Sequence, residues 1–166
     1  DYAYAATWVG APRKGETVLE PSAGTGSLVV HAKASGARVE ANELSDRRAE
    51  LLESVADKVT REDARQIANI LKAKPTLVLM NPPFSAVANV DGRTTEATAR
   101  HLRSALARLA HGGRLVAITG ASFAPDALAW AETFGRLTET AHLVFTGAVS
   151  GANSTVLAGP AATAWP

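Results

Sequence analysis

The stretch from Val18 to Val30 joins an apolar strand-like run to a turn of small residues and then to an apolar helix start. Gly24 and Gly26 lie in that turn, where the missing side chains let a ligand approach the backbone and let the chain adopt positive φ. Unpaired N–H groups at the start of the following helix can bind an anion or a carboxylate. We interpret the turn as cofactor-binding, although two glycines also fit an ordinary strand-to-helix turn.

Strand and helix patterns alternate along the rest of the chain. Short apolar or alternating segments predict strands at 17–20, 37–44, 59–60, 77–80, 114–119, 143–145 and 154–157. Other segments predict helices at 1–10, over an edge of the sheet, and at 27–34, 46–57, 65–71, 95–110 and 123–134. Such alternation implies a mostly parallel α/β sheet with helices on both faces, and the last two strands suggest an antiparallel hairpin.

Composition narrows the class of protein. A chain of 166 residues that is 46% hydrophobic is expected to form one domain, residues 1–166. The net charge of +1 indicates no overall attraction to nucleic acid or membranes, and no apolar run is long enough to span a bilayer. The absence of Cys and the scattered His predict no metal site and fit a cytoplasmic protein. The chain begins at Asp1, not Met, which is consistent with a fragment of a longer polypeptide.

Several polar and small residues fall where predicted parallel strands end, namely Glu20, Gly24, Glu43, Asp63 and Asn81. Ligands of such sheets bind beyond the carboxyl ends of the strands, where the strand order reverses. A third glycine of a dinucleotide fingerprint is missing, which disfavours NAD, and no Gly-Lys-Ser/Thr phosphate loop is present.

Two acidic residues are candidates for contacts with a nucleoside. Glu43 ends the second predicted strand, where a carboxylate can accept both hydroxyls of a ribose. Glu40 is the competitor, and a surface role for Glu43 is the simpler alternative. Asp63 follows the third predicted strand and is placed to accept from an adenine amino group, although Glu62 and Asp63 also suit the start of a helix.

The segment Asn81-Pro82-Pro83-Phe84 predicts a rigid corner after an apolar strand. Two prolines fix φ and remove two N–H donors, so the carbonyls are left to face outward. The Asn81 side-chain oxygen and the Pro82 carbonyl can together accept one amino group, and Phe84 offers a flat face to a planar base or amide. A plain turn with a buried Phe84 is the alternative.

These two segments carry a family resemblance. Residues 18–26 resemble the cofactor motif of S-adenosylmethionine-dependent methyltransferases, and residues 81–84 resemble the catalytic motif of those that methylate an amino nitrogen, above all the adenine-N6 DNA methyltransferases. Residues 2–9, 42–44, 80–85 and 101–119 also resemble the methylase region associated with strawberry-notch-type helicases.

The resemblance implies a Rossmann-like methyltransferase sandwich with a seven-stranded, mostly parallel sheet, and S-adenosylmethionine as cofactor. The cofactor-binding residues that it implies are Glu20, Pro21, Ala23, Gly24, Gly26, Glu43, Leu44, Asp63, Ala64 and Asn81. The catalytic residues that it implies are Asn81, Pro82, Pro83 and Phe84.

The implied reaction is methyl transfer to an exocyclic amino nitrogen, most specifically adenine N6 in DNA, with the target base flipped out of the duplex. DNA is then the expected substrate, and a helicase domain or partner is expected beside it. Methylation of a protein glutamine or an RNA base remains open, as does an inactive cofactor-binding module of a helicase assembly. A cluster of basic residues offers phosphate contacts or an ordinary solvated helix face; it comprises Arg93, Arg100, His101, Arg103, Arg108, His111 and Arg114.

Overall fold

The computed structural model describes residues 2–70, 72, 74–82, 91–120, 123–147 and 154–158. Strands in these ranges are β1 Thr17–Glu20, β2 Arg38–Asn42, β3 Lys58–Thr60, β4 Leu77–Met80, β5 Arg114–Gly120 and β6 Ser154–Ala158. Helices in these ranges are α1 Tyr2–Gly10, α2 Ser27–Ala34, α3 Asp46–Leu52, α4 Ile67–Ile70, α5 Asp91–Arg108 and α6 Ala131–Thr138. Single 3₁₀ turns, Ala64–Gln66 and Leu128–Trp130, precede α4 and α6.

The strands form one sheet in the order β3-β2-β1-β4-β5-β6. β1 to β5 are parallel, and β6 runs antiparallel to β5 with Ile118 opposite Val156. The chain moves outward from β1 to β3 and then returns to place β4 on the other side of β1. The strand order therefore reverses between β1 and β4, which is where ligands of such sheets bind.

Side chains of successive strand residues point to opposite faces of the sheet, and each face has its own hydrophobic core. Leu77 and Leu79 of β4 pack with α1, α2 and α3 on one face. Val78 and Met80 pack on the other face, in a cluster that includes Leu102 of α5. Because successive strand residues point to opposite faces, the uninterrupted apolar run at 77–80 is the expected signature of a strand covered on both sides.

Helix α1 lies mainly over inner strands, whereas its sequence predicts a position over the sheet edge. It contacts α2, β5 and β4, and it touches the edge strand β6 less extensively. A Cβ at Gly10 would lie 2.8 Å from a methyl group of Leu79, so the end of the helix approaches the sheet closely. The Arg114 guanidinium fixes this end by donating to the Gly10 and Ala11 carbonyls and by pairing with Glu16.

Two predicted helices are shorter than expected. α3 ends at Leu52 because the chain then turns back: the Asp57 N–H donates to the Val39 carbonyl and the Asp57 carboxylate accepts from the Val39 N–H, which starts β3 beside β2. The predicted helix at 123–134 is replaced by turns, and α6 begins only at Ala131. Phe123 packs its ring 5.0 Å from those of Trp130 and Phe134, which holds the irregular segment on the core.

The predicted strand at 143–145 is wrong. These residues are described, lie outside any helix or strand and are exposed. β6 instead occupies the position beside β5, so the described residues form six strands, not seven, and no hairpin of two late strands.

Candidate functional site

The turn after β1 has the geometry that its glycines suggest. Gly24 and Gly26 adopt φ of 56° and 89°, in the left-handed region that favours glycine. A Cβ at Gly26 would lie 2.8 Å from a methyl group of Leu52, whereas nothing lies within 4 Å of a Cβ at Gly24. Gly26 is therefore needed for packing, and Gly24 faces open space. The Ala23 N–H donates to the Asn42 carbonyl at 2.9 Å, which ties the turn to β2.

Glu43 lies directly after β2 and faces this turn. Its carboxylate accepts from the N–H of Gly24 at 2.9 Å, from the N–H of Ser45 at 2.8 Å and from Arg48 at 2.7 Å. Burial raises the pKa of Glu43, but the hydrogen bonds from Arg48, Ser45 and Gly24 outweigh burial and hold the pKa below its ordinary value. Glu43 is thus a fixed, ionised carboxylate. Glu40, its competitor, lies within β2 and pairs with Arg38 and Lys58.

Glu20 ends β1 and is 3% exposed. Its Oε2 is buried without a hydrogen-bond partner. Burial raises the pKa of Glu20 well above the ordinary value, the Val29 N–H opposes that rise, and the nearby charge of Glu43 adds to it. A buried carboxyl group with an unsatisfied oxygen is costly unless a ligand completes its hydrogen bonding.

Asp63 lies in the segment after β3 and carries a strong local ion pair. Arg65 donates to it through its side chain and its backbone N–H, and these bonds lower the pKa of Asp63 to about 2. Ala64 beside it is buried, while Leu44, at the end of β2, is 68% exposed. The ends of β2 and β3 thus supply a carboxylate and two apolar side chains at one edge of the sheet.

The Asn-Pro corner follows β4, the strand next to β1. The register pairs Leu19 of β1 with Val78 of β4, so Glu20 and Asn81 leave neighbouring strands at the same edge. Asn81 is exposed and Pro82 is buried. Pro83 and Phe84, which the sequence also nominates, lie outside the described residues.

Two residues that sequence reasoning overlooked complete this edge. Asn42 is 1% exposed and its side chain joins the β1 turn to the segment after β3. Arg48 donates to Glu43 from the first turns of α3. A polar residue at the end of a buried strand was the available signal for Asn42; nothing in the sequence distinguishes Arg48 from its neighbour Arg47.

The basic cluster proposed from sequence does not form one surface. His101 is 8% exposed, and its Nδ1 has no hydrogen-bond partner. Burial lowers the pKa of His101, against the opposing charge of Asp63. Arg108 donates to the Ala68 and Lys72 carbonyls, and Arg114 is bound to the end of α1. His101, Arg108 and Arg114 therefore serve the fold, and the side chain of Arg93 lies outside the described residues.

In the part of the chain that the structure describes, no group of three or more His, Cys, Asp or Glu residues is arranged to hold a metal ion. No helix among the described residues is long and apolar enough to cross a membrane.

A parallel sheet that reverses between β1 and β4, with a glycine turn after β1 and an acidic residue after β2, is an architecture that binds a nucleoside-containing cofactor. The sequence model of the Methyltransferase small domain family matches residues 10–143, and the chain belongs to that family. S-adenosylmethionine is therefore its cofactor. No curated protein sequence matches the chain.

Solved structures with the same fold include TrmN from Thermus thermophilus, with a TM-score of 0.76 and 24% identity over 96% of this chain and 48% of that one. A protein described as a modification subunit of a type I restriction enzyme from Vibrio vulnificus has a TM-score of 0.69 and 18% identity over 95% and 43%. A protein described as a methyltransferase from Streptococcus mutans, in complex with SAH, has a TM-score of 0.61 and 13% identity over 93% and 94%. At these identities the likeness is one of fold. The chain spans about half the length of TrmN.

Proposed function

We propose that this methyltransferase transfers a methyl group to an exocyclic amino nitrogen, most specifically adenine N6 in DNA. The observation that supports the amino acceptor is the position of Asn81 and Pro82 after β4, beside the strand whose turn carries Gly24. The fold is shared with a restriction-modification subunit and equally with a protein described as an RNA methyltransferase from Pyrococcus horikoshii, so the choice of DNA rests on the resemblance of residues 81–84 to the adenine-N6 DNA methyltransferases.

The residues at the sheet edge suit the cofactor. The open space beside Gly24 admits the methionine part, with Pro21 and Ala23 alongside it. The unsatisfied Glu20 oxygen suits a cationic group, because a nearby positive charge would favour the ionised carboxylate that burial disfavours in the protein alone. Each carboxylate oxygen has two lone pairs, so Glu43 Oε2, which accepts from Gly24, retains capacity for a ribose hydroxyl.

The remaining assignments complete the cofactor site. Leu44 and Ala64 flank the adenine ring with apolar surface, Asp63 accepts from its amino group, and Asn81 closes the crevice from β4. Arg65 makes two hydrogen bonds to each oxygen of Asp63, so this role requires the adenine amino group to displace part of the Arg65 pairing.

The acceptor side works by orientation. The Asn81 side-chain oxygen and the Pro82 carbonyl accept the two N–H groups of the target amine and turn its lone pair out of conjugation with the ring. Pro83 stiffens the corner and Phe84 stacks on the base. When bound, the cofactor would supply an electrophilic methyl group and leave as S-adenosylhomocysteine, and the methylated nitrogen would lose its extra proton to water. Holding two reactants in line in a preorganised polar site accounts for the rate without a strong base.

The wider setting is part of the proposal. Residues 1–166 act as one methyltransferase domain, and a target adenine is flipped out of the duplex to reach it. A helicase domain or partner working beside this domain would expose such bases.

Transfer of labelled methyl from S-adenosylmethionine to single-stranded DNA, duplex DNA, RNA and protein tests this function. We expect label on DNA adenine and, in Asn81→Ala, a loss of transfer of about a hundredfold or more that exceeds the accompanying loss of cofactor affinity. Glu139→Ala, an exposed change on the residue that follows α6, is the control and should transfer normally. Label on RNA or on protein glutamine instead of DNA would overturn DNA as the substrate. Cofactor binding without transfer to any acceptor would identify an inactive module.

A further inference from the structure

The side-chain amide of Asn42 makes every hydrogen bond that an amide can make. Its Nδ2 donates to the Pro21 carbonyl at 3.0 Å and to the Glu62 carbonyl at 2.8 Å. Its Oδ1 accepts from the Thr60 hydroxyl at 2.8 Å and from the Glu62 N–H at 2.9 Å. An amide offers two donors and two acceptor lone pairs, so the group is saturated. With 1% exposure, it has no access to water.

These four bonds connect the loops that surround the crevice. Pro21 belongs to the turn after β1, which carries Gly24 and Gly26. Thr60 and Glu62 belong to the end of β3 and the segment that leads to Asp63. The backbone repeats the connection on both sides of Asn42, because its carbonyl accepts from Ala23 and the next N–H, that of Glu43, donates to the Thr60 carbonyl.

We propose that Asn42 is a positioning residue for S-adenosylmethionine: it sets the spacing between the turn that receives the methionine part and the segment that receives the adenine. This inference rests on the cofactor site proposed above. Asn42 does not touch the cofactor. It acts through Pro21 and Glu62, and it fixes the two halves of the crevice in one arrangement before the cofactor arrives, which lowers the cost of binding.

The geometry makes Asn specific at this position. Asp has nearly the same shape, but the oxygen that replaces Nδ2 would face both the Pro21 and the Glu62 carbonyls, which would lose their donor. Leaving a buried carbonyl without a donor costs far more than the bond contributes when formed. Thr60→Val is milder, because Oδ1 of Asn42 still accepts from the Glu62 N–H.

The positioning role is tested by comparing two ligands of different length. S-adenosylhomocysteine needs both halves of the crevice, whereas adenosine needs only the half formed by the ends of β2 and β3. In Asn42→Asp we expect the dissociation constant of S-adenosylhomocysteine to rise by about tenfold and that of adenosine to rise much less. Thr60→Val should give a smaller change in the same direction. Calorimetry measures the longer ligand, and NMR titration measures adenosine.

Thr7→Val is the matched control, because Thr7 is also buried and its hydroxyl bonds only within α1, to the Ala3 carbonyl. It should lower the melting temperature without changing either affinity. Equal losses for both ligands in Asn42→Asp, or unchanged binding of S-adenosylhomocysteine, would overturn the positioning role while leaving the cofactor site intact. A wild-type protein that binds neither ligand would overturn the cofactor site as well. Since the measurement is of binding, a failure to methylate DNA bears only on the proposed reaction.

Discussion

The N–H of Gly24 donates to the carboxylate of Glu43 at 2.9 Å, across 19 positions of sequence. This bond joins the glycine turn after β1 to the acidic residue after β2. Arg48 and the N–H of Ser45 hold the other carboxylate oxygen, so Glu43 is oriented in the absence of a ligand. Part of the ordering that cofactor binding requires is therefore already built into the fold.

Glu43→Ala should weaken binding of S-adenosylmethionine by about tenfold to a hundredfold, because a hydrogen bond to a charged group contributes about 1.5–3 kcal/mol. Glu40→Gln is the control: Glu40 is also a buried carboxylate of this segment, but it pairs with Arg38 and Lys58. Calorimetry on both variants separates the two carboxylates. Equal affinity in Glu43→Ala and the wild type would remove Glu43 from the site.

The two glycines of the turn should respond differently to alanine. Gly26→Ala meets Leu52 and adopts an unfavourable φ, so we expect unfolding to become easier by about 2–4 kcal/mol. Gly24→Ala suffers only the backbone strain, about 1 kcal/mol, but its methyl group enters the open space and should reduce cofactor affinity.

Gly112→Ala is the comparison for Gly24, since it also has a positive φ and nothing within 4 Å of a built Cβ. It should lose similar stability and bind the cofactor normally. Chemical denaturation and cofactor titration measure the two effects, and a Gly24→Ala variant with normal affinity would show that the open space is not used.

The buried Glu20 should make stability fall as the pH rises. Its pKa in the folded protein is raised well above the ordinary value of 4.5, so its favourable contribution is fully present below pH 4.5 and is lost as the pH rises through the folded-state pKa. Glu20→Gln cannot ionise. Its stability relative to the wild type should therefore increase toward neutral and alkaline pH, as followed by melting temperature. A constant difference across the pH range would show that the pKa of Glu20 is the same in the folded and the unfolded protein.

Arg114 should be a main support of the fold at the opposite edge of the sheet. Arg114→Ala removes bonds to Glu16 and to the end of α1, and we expect a loss of about 2–3 kcal/mol. Arg136→Ala, which breaks only an exposed pair with Glu132, should cost about 0.5 kcal/mol or less.

The loss of folding stability in Arg114→Ala should also depend on pH. The bond from Arg114 lowers the pKa of Glu16 below 4.5, so this contribution is present above pH 4.5 and disappears as the pH falls through the folded-state value. The difference between wild type and Arg114→Ala should shrink in acid. An unchanged difference would mean that the bonds to the carbonyls of Gly10 and Ala11 carry the effect.

Short-range patterns predicted the parts of the site that depend on local chemistry. The glycine turn, the apolar β4 run and the polar residues at strand ends follow from backbone requirements and from burial on both faces. Because parallel strands end at one edge, the sequence also predicts that Glu20, Glu43 and Asn81 lie together there.

Contacts between residues that are far apart in the sequence could not be predicted from local patterns. The partners of Asn42 lie 18 to 21 positions away, and no local pattern reveals them. The apolar residues at 143–145 fit a strand by composition, yet β6 already pairs with β5 and takes that position. The sequence suggests that His101 belongs to a basic helix face. However, α5 packs against the segment around Ala64, and this packing buries His101.

The reversal of strand order between β1 and β4 separates the residues proposed to bind the cofactor from those proposed to bind the target amine. Gly24, Asn42, Glu43 and Glu62 are interlinked and all precede β4, whereas Asn81 and Pro82 follow it. The residues proposed to bind the cofactor can therefore stay constant, in evolution or in engineering, while the Asn-Pro corner after β4 is exchanged. Grafting that corner from a relative that methylates another acceptor group offers a route to new methylation targets with an unchanged cofactor site.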